Sequence, residues 1–342
     1  MENGRGLPHA SGLHDRHQDV DVVKLHSAAN TIAGFHFGLH RHFAMSGWQN
    51  SITVHDAKLL GCERVVAVDF TRDSIMDRKE YFRRVGYDGT PQPDLVTLRA
   101  LQRAHLEHIP FENLDVQLGR RVTVRPDDAY SKLVTDRRGG WCYEMNGLLF
   151  WVLVSIGFDV MPMTAAILRA ERGKSAVSSH LLLCVNLDQP YLVDVGLTDG
   201  FEEPIPLREG MHKVINGSVR LEPLDDGWWR FHNRAGARSA SLDFQHRQTD
   251  WSVVSSTCEW LQTNPASQFV KNAVCVKRLP NGRVSLIGRV LKKTSPDGVR
   301  ERLVDSEDDY VNTLQAEFGI VLPQAASLWP KIVRRHTEVF GA

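Results

Sequence analysis

Apolar positions along this chain change their spacing twice. From Met76 the spacing is helical. Residues 77–85 read as a short helix closed by Gly86. Pro93-Asp94 opens a second helix, with Leu95, Leu98, Leu101 and His105 in steps of three and four, the pattern of one buried face that ends at Ile109-Pro110. Phe111-Glu112-Asn113-Leu114 reads as a loop. A third helix begins near Cys142, with Met145, Leu148, Leu149, Val152 and Ile156 inward and Gly157 as its stop. Beyond it the period shortens to that of strands. Residues 160–168, 180–187, 191–195, 228–232 and 274–277 are short β-rich runs separated by turn residues. Residues 187–191 predict a hairpin link, and Asn281-Gly282 between two alternating runs predicts a sharper one. The C-terminal part is mixed: residues 306–318 read as a helix with Ser306 as its N-cap, and 326–340 as another.

Residues 1–75 show no sustained period. They hold eight of the fifteen histidines, His36, His40 and His42 among them. The spacings match no metal-ligand pattern, so a solvated or poorly ordered extension is expected there rather than a metal site. An upstream translation artefact, with Met76 as the natural start, is the other reading. Val65-Val66-Ala67-Val68 reads as one strand. Lys+Arg and Asp+Glu are both 41, which leaves no basic footprint for nucleic acid. The five cysteines (Cys62, Cys142, Cys184, Cys258 and Cys275) form no CxxC pair, which argues against a disulfide framework or zinc ribbon and for a reducing cytoplasm. No run of 18 apolar residues and no signal-peptide core occurs, so neither membrane spanning nor export is expected.

One cysteine has the surroundings of a reactive thiol. Cys142 follows Gly139-Gly140 and opens an apolar, helix-periodic run. Glycines let a backbone turn tightly and approach a ligand, and a helix N-terminus favours thiolate over thiol. A thiol nucleophile needs a base, and the base an orienting partner. His180 opens a strand after a polar loop. Asp194 lies inside the apolar strand that follows, where an unpaired carboxylate is costly. If the two strands form a hairpin, Asp194 comes close to His180. Cys184 and Cys275, inside apolar strands, read as core. Composition and spacing reach as far as a thiol nucleophile for acyl transfer or amide hydrolysis.

The motif Arg138-Gly139-Gly140-Trp141-Cys142-Tyr143-Glu144-Met145-Asn146 closely resembles the active-site signature of the arylamine N-acetyltransferases. Further segments resemble that family in register. They are residues 109–114, His180-Leu181-Leu182-Leu183, Asp194-Val195-Gly196, residues 264–269 and Phe318-Gly319-Ile320, with Cys142, His180 and Asp194 spaced 38 and 14 residues apart. The similarity runs from about Met76 to Phe340. It implies an α+β, papain/transglutaminase-like fold: a helical bundle over 76–160 with the cysteine, an antiparallel β-barrel over 161–265 with His and Asp, and an α/β lid over 266–342. It also implies a ping-pong reaction in which the Cys142 thiolate, paired with His180 and oriented by Asp194, takes the acetyl group of acetyl-coenzyme A. An arylamine, arylhydrazine or N-hydroxyarylamine then receives it. No metal is implied, and either a monomer or a homodimer is compatible.

Phe111 and Trp141 are expected as aromatic walls for the acceptor or as core. Arg138 and Glu112 are expected as a buried pair steadying the cysteine loop. One departure stands out. The family commonly carries Phe-Gly after the Asp-Val-Gly segment, whereas here Leu197-Thr198-Asp199-Gly200 follows, so Leu197 replaces an aromatic pocket wall. The alternatives are a thiol hydrolase or amide synthase with the same three residues, and a binding protein with an inactive site.

Overall fold

The computed structural model describes residues 76–173 and 178–341. The histidine-rich extension and its expected strand at 65–68 lie outside the described residues. The chain begins with α1 (Arg78–Val85), capped by the Asp77 carboxylate, and α2 (Leu95–His108), capped by Asp94. Both caps satisfy amide groups that a helix start leaves unpaired. A two-residue strand follows, β1 (Phe111–Glu112), then the short helices α3 (Leu114–Gln117) and α4 (Pro126–Tyr130). Helix α5 (Cys142–Ile156) is the central element: ten of its fifteen residues are buried, and Gly157 closes it. Leu98, Leu101, Leu148, Leu149, Val152 and Leu153 all lie in the one bundle core, and burying each such side chain contributes about 1.5–3 kcal/mol.

The middle of the chain builds an eight-stranded antiparallel sheet, curled into a nearly closed barrel. Its strands are β2 (Asp159–Ile167), β3 (His180–Asn186), β4 (Pro190–Val193), β5 (Ile205–Pro206), β6 (Gly210–Val214), β7 (Gly217–Pro223), β8 (Trp229–His232) and β9 (Ser241–Phe244), with the short helix α6 (Arg169–Arg172) after β2. They lie in the order β5-β4-β3-β2-β9-β8-β7-β6. Strand β3 is buried on both faces. Leu181, Leu183 and Val185 pack into the bundle core, and Leu182 and Cys184 into the barrel core. That double burial explains why its sequence is a continuous apolar run rather than an alternation.

Helices α7 (Trp251–Thr263) and α8 (Gln268–Lys271) lead to β10 (Val274–Leu279), β11 (Gly282–Ile287), β12 (Val290–Ser295) and β13 (Gly298–Leu303). The chain ends in α9 (Glu307–Thr313), a π-helical turn at Leu314–Phe318, a 3-10 turn at Pro323–Leu328 and α10 (Trp329–Phe340). A third core holds this sheet against α9 and α10. No helix among the described residues is long and apolar enough to cross a membrane.

Three local expectations need correction. Residues 111–114 are not a plain loop: Phe111 and Glu112 pair with Val276 and Cys275, so β1 is an edge of the C-terminal sheet although it leaves the helical region. A two-residue strand is set by a partner about 160 residues away and has no period of its own. The β10–β11 turn is Pro280-Asn281, one residue before the expected pair, because Gly282 already pairs with Leu279. The last helix starts at Trp329 rather than 326, since Pro323 opens a 3-10 turn first.

Candidate active site

Cys142 is the first residue of α5 and is almost fully buried. Glu144, one turn into the helix, accepts the Trp141 N–H at 3.1 Å and so fixes the helix start. Cys142 is thereby held at the positive end of the helix dipole. His180 begins β3, and Asp194 follows β4 directly; the β3–β4 pairing, with Leu183 opposite Val193, folds them back onto each other. His180 Nε2 and Asp194 Oδ2 are 2.7 Å apart. The Cys142 side chain is the other group that bears on the imidazole. Burial by itself makes the imidazole less basic. The Asp194 charge, its hydrogen bond and the Cys142 side chain outweigh that and push the His180 pKa up to about 10.

Asp194 is buried with its charge fully matched. Oδ1 accepts Gly196 N–H at 2.7 Å, Leu197 N–H at 3.1 Å and Asn146 Nδ2–H at 2.9 Å. Asn146 also donates to the Leu181 carbonyl at 2.7 Å and accepts from the Val195 N–H at 3.0 Å. From α2, Gln102 donates to the Asp194 carbonyl at 3.3 Å. Gly196 passes so close to the helix start that a Cβ there would lie 2.6 Å from Cys142 Cα, which only glycine avoids.

Cys142 and His180 open onto a cavity of about 230 Å³. Phe111, Ile167, Leu197, Trp260 and Phe269 supply its apolar walls, with Thr198 and Ser239 among the polar ones. Phe269 is carried there by α8, which Asn113 of the 109–114 motif holds. Asn113 Nδ2 donates to the carbonyls of Phe269 and Asn272 at 2.8 and 2.9 Å, and Asn113 Oδ1 accepts Val274 N–H at 2.8 Å. Phe111 and Leu197 both line the cavity. Trp141 does not: it is fully buried, edge-on to Phe269 at 5.3 Å, and lies behind the cavity wall. The asparagine contacts were illegible because they join segments about 160 residues apart.

Arg138 and Glu112 form the expected buried pair, Nη2 to Oε1 at 2.6 Å, but within a larger cluster. Lys132 Nζ lies 2.9 Å from both Asp115 and Glu144 and 3.9 Å from Glu112, and Arg138 reaches Asp115 at 3.4 Å. Burial opposes charge on Lys132, yet its three carboxylate neighbours hold its pKa well above the usual lysine range. Burial dominates at Glu144 and pushes its pKa up to about 7. Gly139 is required for a different reason than the sequence suggested. A Cβ would sit 2.2 Å from the Pro110 carbonyl oxygen, so the close neighbour is the chain's own backbone rather than a ligand. Gly140 bonds through its backbone, its carbonyl accepting the Glu112 N–H at 2.9 Å. Among the described residues no group of His, Cys, Asp or Glu could hold a metal ion.

A second, larger cavity of about 490 Å³ adjoins the first. Arg238 and Asn272 line it, while Ser239 and Phe269 line the Cys142 cavity. Lys271, Lys292, Lys331 and Arg335 make it predominantly cationic, with Glu301 as its carboxylate.

The family model described as N-acetyltransferase matches residues 94–327. The arylamine N-acetyltransferase of Mycolicibacterium smegmatis is 32% identical over 259 residues, spanning 73% of this chain and 94% of that relative. The solved arylamine N-acetyltransferase of Mycobacterium marinum in complex with CoA has a TM-score of 0.69 at 28% identity, covering 77% of this chain and 99% of that one. That of Salmonella typhimurium has a TM-score of 0.70 at 25% identity, covering 76% and 99%. With a family model matched over more than half its length and relatives matched over nearly all of theirs, this chain belongs to the arylamine N-acetyltransferases.

Proposed function

We propose that this chain transfers the acetyl group of acetyl-coenzyme A to an aromatic amine, hydrazine or N-hydroxyarylamine through an acetyl-Cys142 intermediate. The observation that carries the reading is the Cys142 side chain at a helix start, lining one cavity with an imidazole whose Nε2 Asp194 holds. Cys142 is the nucleophile, His180 the proton carrier and Asp194 the group that orients His180. With the proton held on His180, the Cys142 thiolate attacks the acetyl carbonyl carbon. As the tetrahedral adduct collapses, the carbon–sulfur bond to coenzyme A breaks, and that thiolate leaves with the proton from His180. The acceptor nitrogen then attacks the acetyl-Cys142 carbonyl. Its proton passes to His180, and the Cys142 thiolate departs. Each step exchanges one acyl bond for another, so positioning and charge placement supply most of the rate.

Phe111, Leu197 and Phe269 form the apolar walls against which an aromatic acceptor packs. The adjoining cationic groove suits the phosphate-bearing end of the donor: Lys271, Lys292, Lys331 and Arg335 offer the charge and Ile287, Val290 and Ile332 an apolar floor. Arg138, Glu112, Gly139 and Gly140 support the Cys142 loop.

The test is direct. Acetyl-coenzyme A without acceptor is expected to add one acetyl group to Cys142, seen by mass spectrometry, with release of one equivalent of coenzyme A. An unlabelled Cys142 with intact donor thioester would overturn the reading. His180→Ala is expected to slow alkylation of Cys142 at neutral pH by at least about tenfold, since a neighbouring imidazolium is what sustains the thiolate.

A further inference from the structure

Asp199, in the Leu197-Thr198-Asp199-Gly200 segment that follows Asp194-Val195-Gly196, takes no part in the reaction derived above. Asp199 is only 6% exposed. Its Oδ2 accepts two consecutive backbone N–H groups, Arg238 at 2.7 Å and Ser239 at 3.1 Å. Both belong to the loop that joins β8 to β9. The main chain around Asp199 is itself gripped. The Asp199 carbonyl accepts from Asn233 Nδ2 at 3.1 Å and Arg234 Nη2 at 3.2 Å. The Gly200 carbonyl accepts from Arg234 Nη2 and from Arg278 Nη2, both at 2.7 Å. Arg234 and Arg278 then close on Glu202 Oε1 at 2.9 and 2.7 Å.

A fixed carboxylate thus holds the loop at two consecutive residues, Arg238 lining the groove and Ser239 lining the Cys142 cavity with Leu197 and Thr198. Asp199 Oδ1 is buried with no partner among the described residues. An unbonded buried carboxylate oxygen is a poor way to add stability, which turns attention to where the other oxygen puts the loop.

We propose that Asp199 is a positioning residue for acceptor selectivity. Its grip on the Arg238 and Ser239 N–H groups fixes Ser239 as a hydroxyl-bearing wall of the Cys142 cavity, so that the site prefers aromatic amines carrying a hydrogen-bonding ring substituent. This rests on the acetyl-Cys142 reading. Site groups built to bond a substrate hydroxyl discriminate far more strongly than a purely apolar wall does.

The experiment compares kcat/KM for para-aminophenol and for aniline at saturating acetyl-coenzyme A, alongside the burst of coenzyme A release that reports Cys142 acetylation. In Asp199→Ala the para-aminophenol to aniline ratio is expected to fall about tenfold, with the burst within about twofold of wild type. Asp199→Asn, which keeps an oxygen for the two N–H groups, is expected to retain most of the ratio. Ser239→Ala leaves the grip and the fold in place and is expected to lower the ratio in the same direction. A ratio unchanged in Ser239→Ala, or an Asp199→Ala chain that loses the burst as fully as it loses turnover, overturns the proposal alone. No burst in the wild-type chain overturns the acetyl-Cys142 reading and this proposal with it.

Discussion

Helix α5 begins between two buried polar clusters. One is Cys142, His180, Asp194 and Asn146; the other is Glu112, Asp115, Lys132, Arg138 and Glu144. Both are shielded from solvent, both tie the helix start to distant segments, and both hold groups whose protonation is displaced: His180 up to about 10 in the first, Glu144 up to about 7 in the second. Displaced titration therefore does not distinguish them, although it is a recognised sign of function. Access does. Cys142 and His180 line a cavity, and no member of the charged cluster lines it or the adjoining groove. The first cluster keeps one bond of its histidine for a group that reacts. The second uses every member on its neighbours, and Arg120 adds a further cation at Asp115.

The contrast can be broken at several points. The largest effect is expected at Cys142→Ala, where turnover should fall by at least about 10⁴-fold while the melting temperature, read by calorimetry, barely moves. Asp194→Asn keeps the shape but removes the charge that holds the imidazolium; a loss on the order of 10³–10⁴-fold in the acetylation rate is expected, measured by the coenzyme A burst. Lys132→Met removes the one cation that three buried carboxylates share. It should lower unfolding free energy by about 3–5 kcal/mol in urea titration, with the folded fraction still acetylating Cys142 at a rate within about tenfold of wild type. If instead Lys132→Met stays stable and loses the burst, the charged cluster belongs to the chemistry and the distinction collapses. Asn146→Ala removes the brace between α5, Leu181 and Asp194, and should slow acetylation about tenfold, as expected for losing a buried hydrogen bond worth about 1–3 kcal/mol.

The smallest effect is in pH. The His180 pKa is raised on folding, so between the ordinary value of 6.5 and about 10 the folded chain holds a proton that the unfolded chain has lost. Stability from this pair is fully present below pH 6.5 and fades as pH rises through about 10. The melting temperature of the wild-type chain should fall more steeply over that window than that of His180→Gln; equal slopes would place the proton elsewhere.

The helical region was legible because its signals are local. Asp77, Asp94 and Ser306 cap their helices through side chains two or three residues from the amide they bind, and periodic leucines mark the buried face of α2. The catalytic hairpin was legible because β3 and β4 are adjacent in sequence. Strands β5 to β7, β9, β12 and β13, and helix α7, were missed; short runs such as β13, exposed at all six residues, carry no buried-face period. Between wall and core, the two readings open for Trp141, the structure places it in the core, because an aromatic beside a cysteine gives no sign in sequence of which way it points.

The sequence by itself determined the family and singled out Cys142, His180 and Asp194 as the proposed nucleophile, base and orienting carboxylate, because these reside in contiguous motifs whose residue types the chemistry constrains. Only the tertiary structure decided what surrounds them. β1 joins a sheet built about 160 residues later, Asn113 holds the loop that brings Phe269 to Cys142, Lys132 gathers three carboxylates, and Asp199 grips the β8–β9 loop. Each of these depends on backbone groups or charges from separated segments, and such contacts have no spacing along the chain from which to be read.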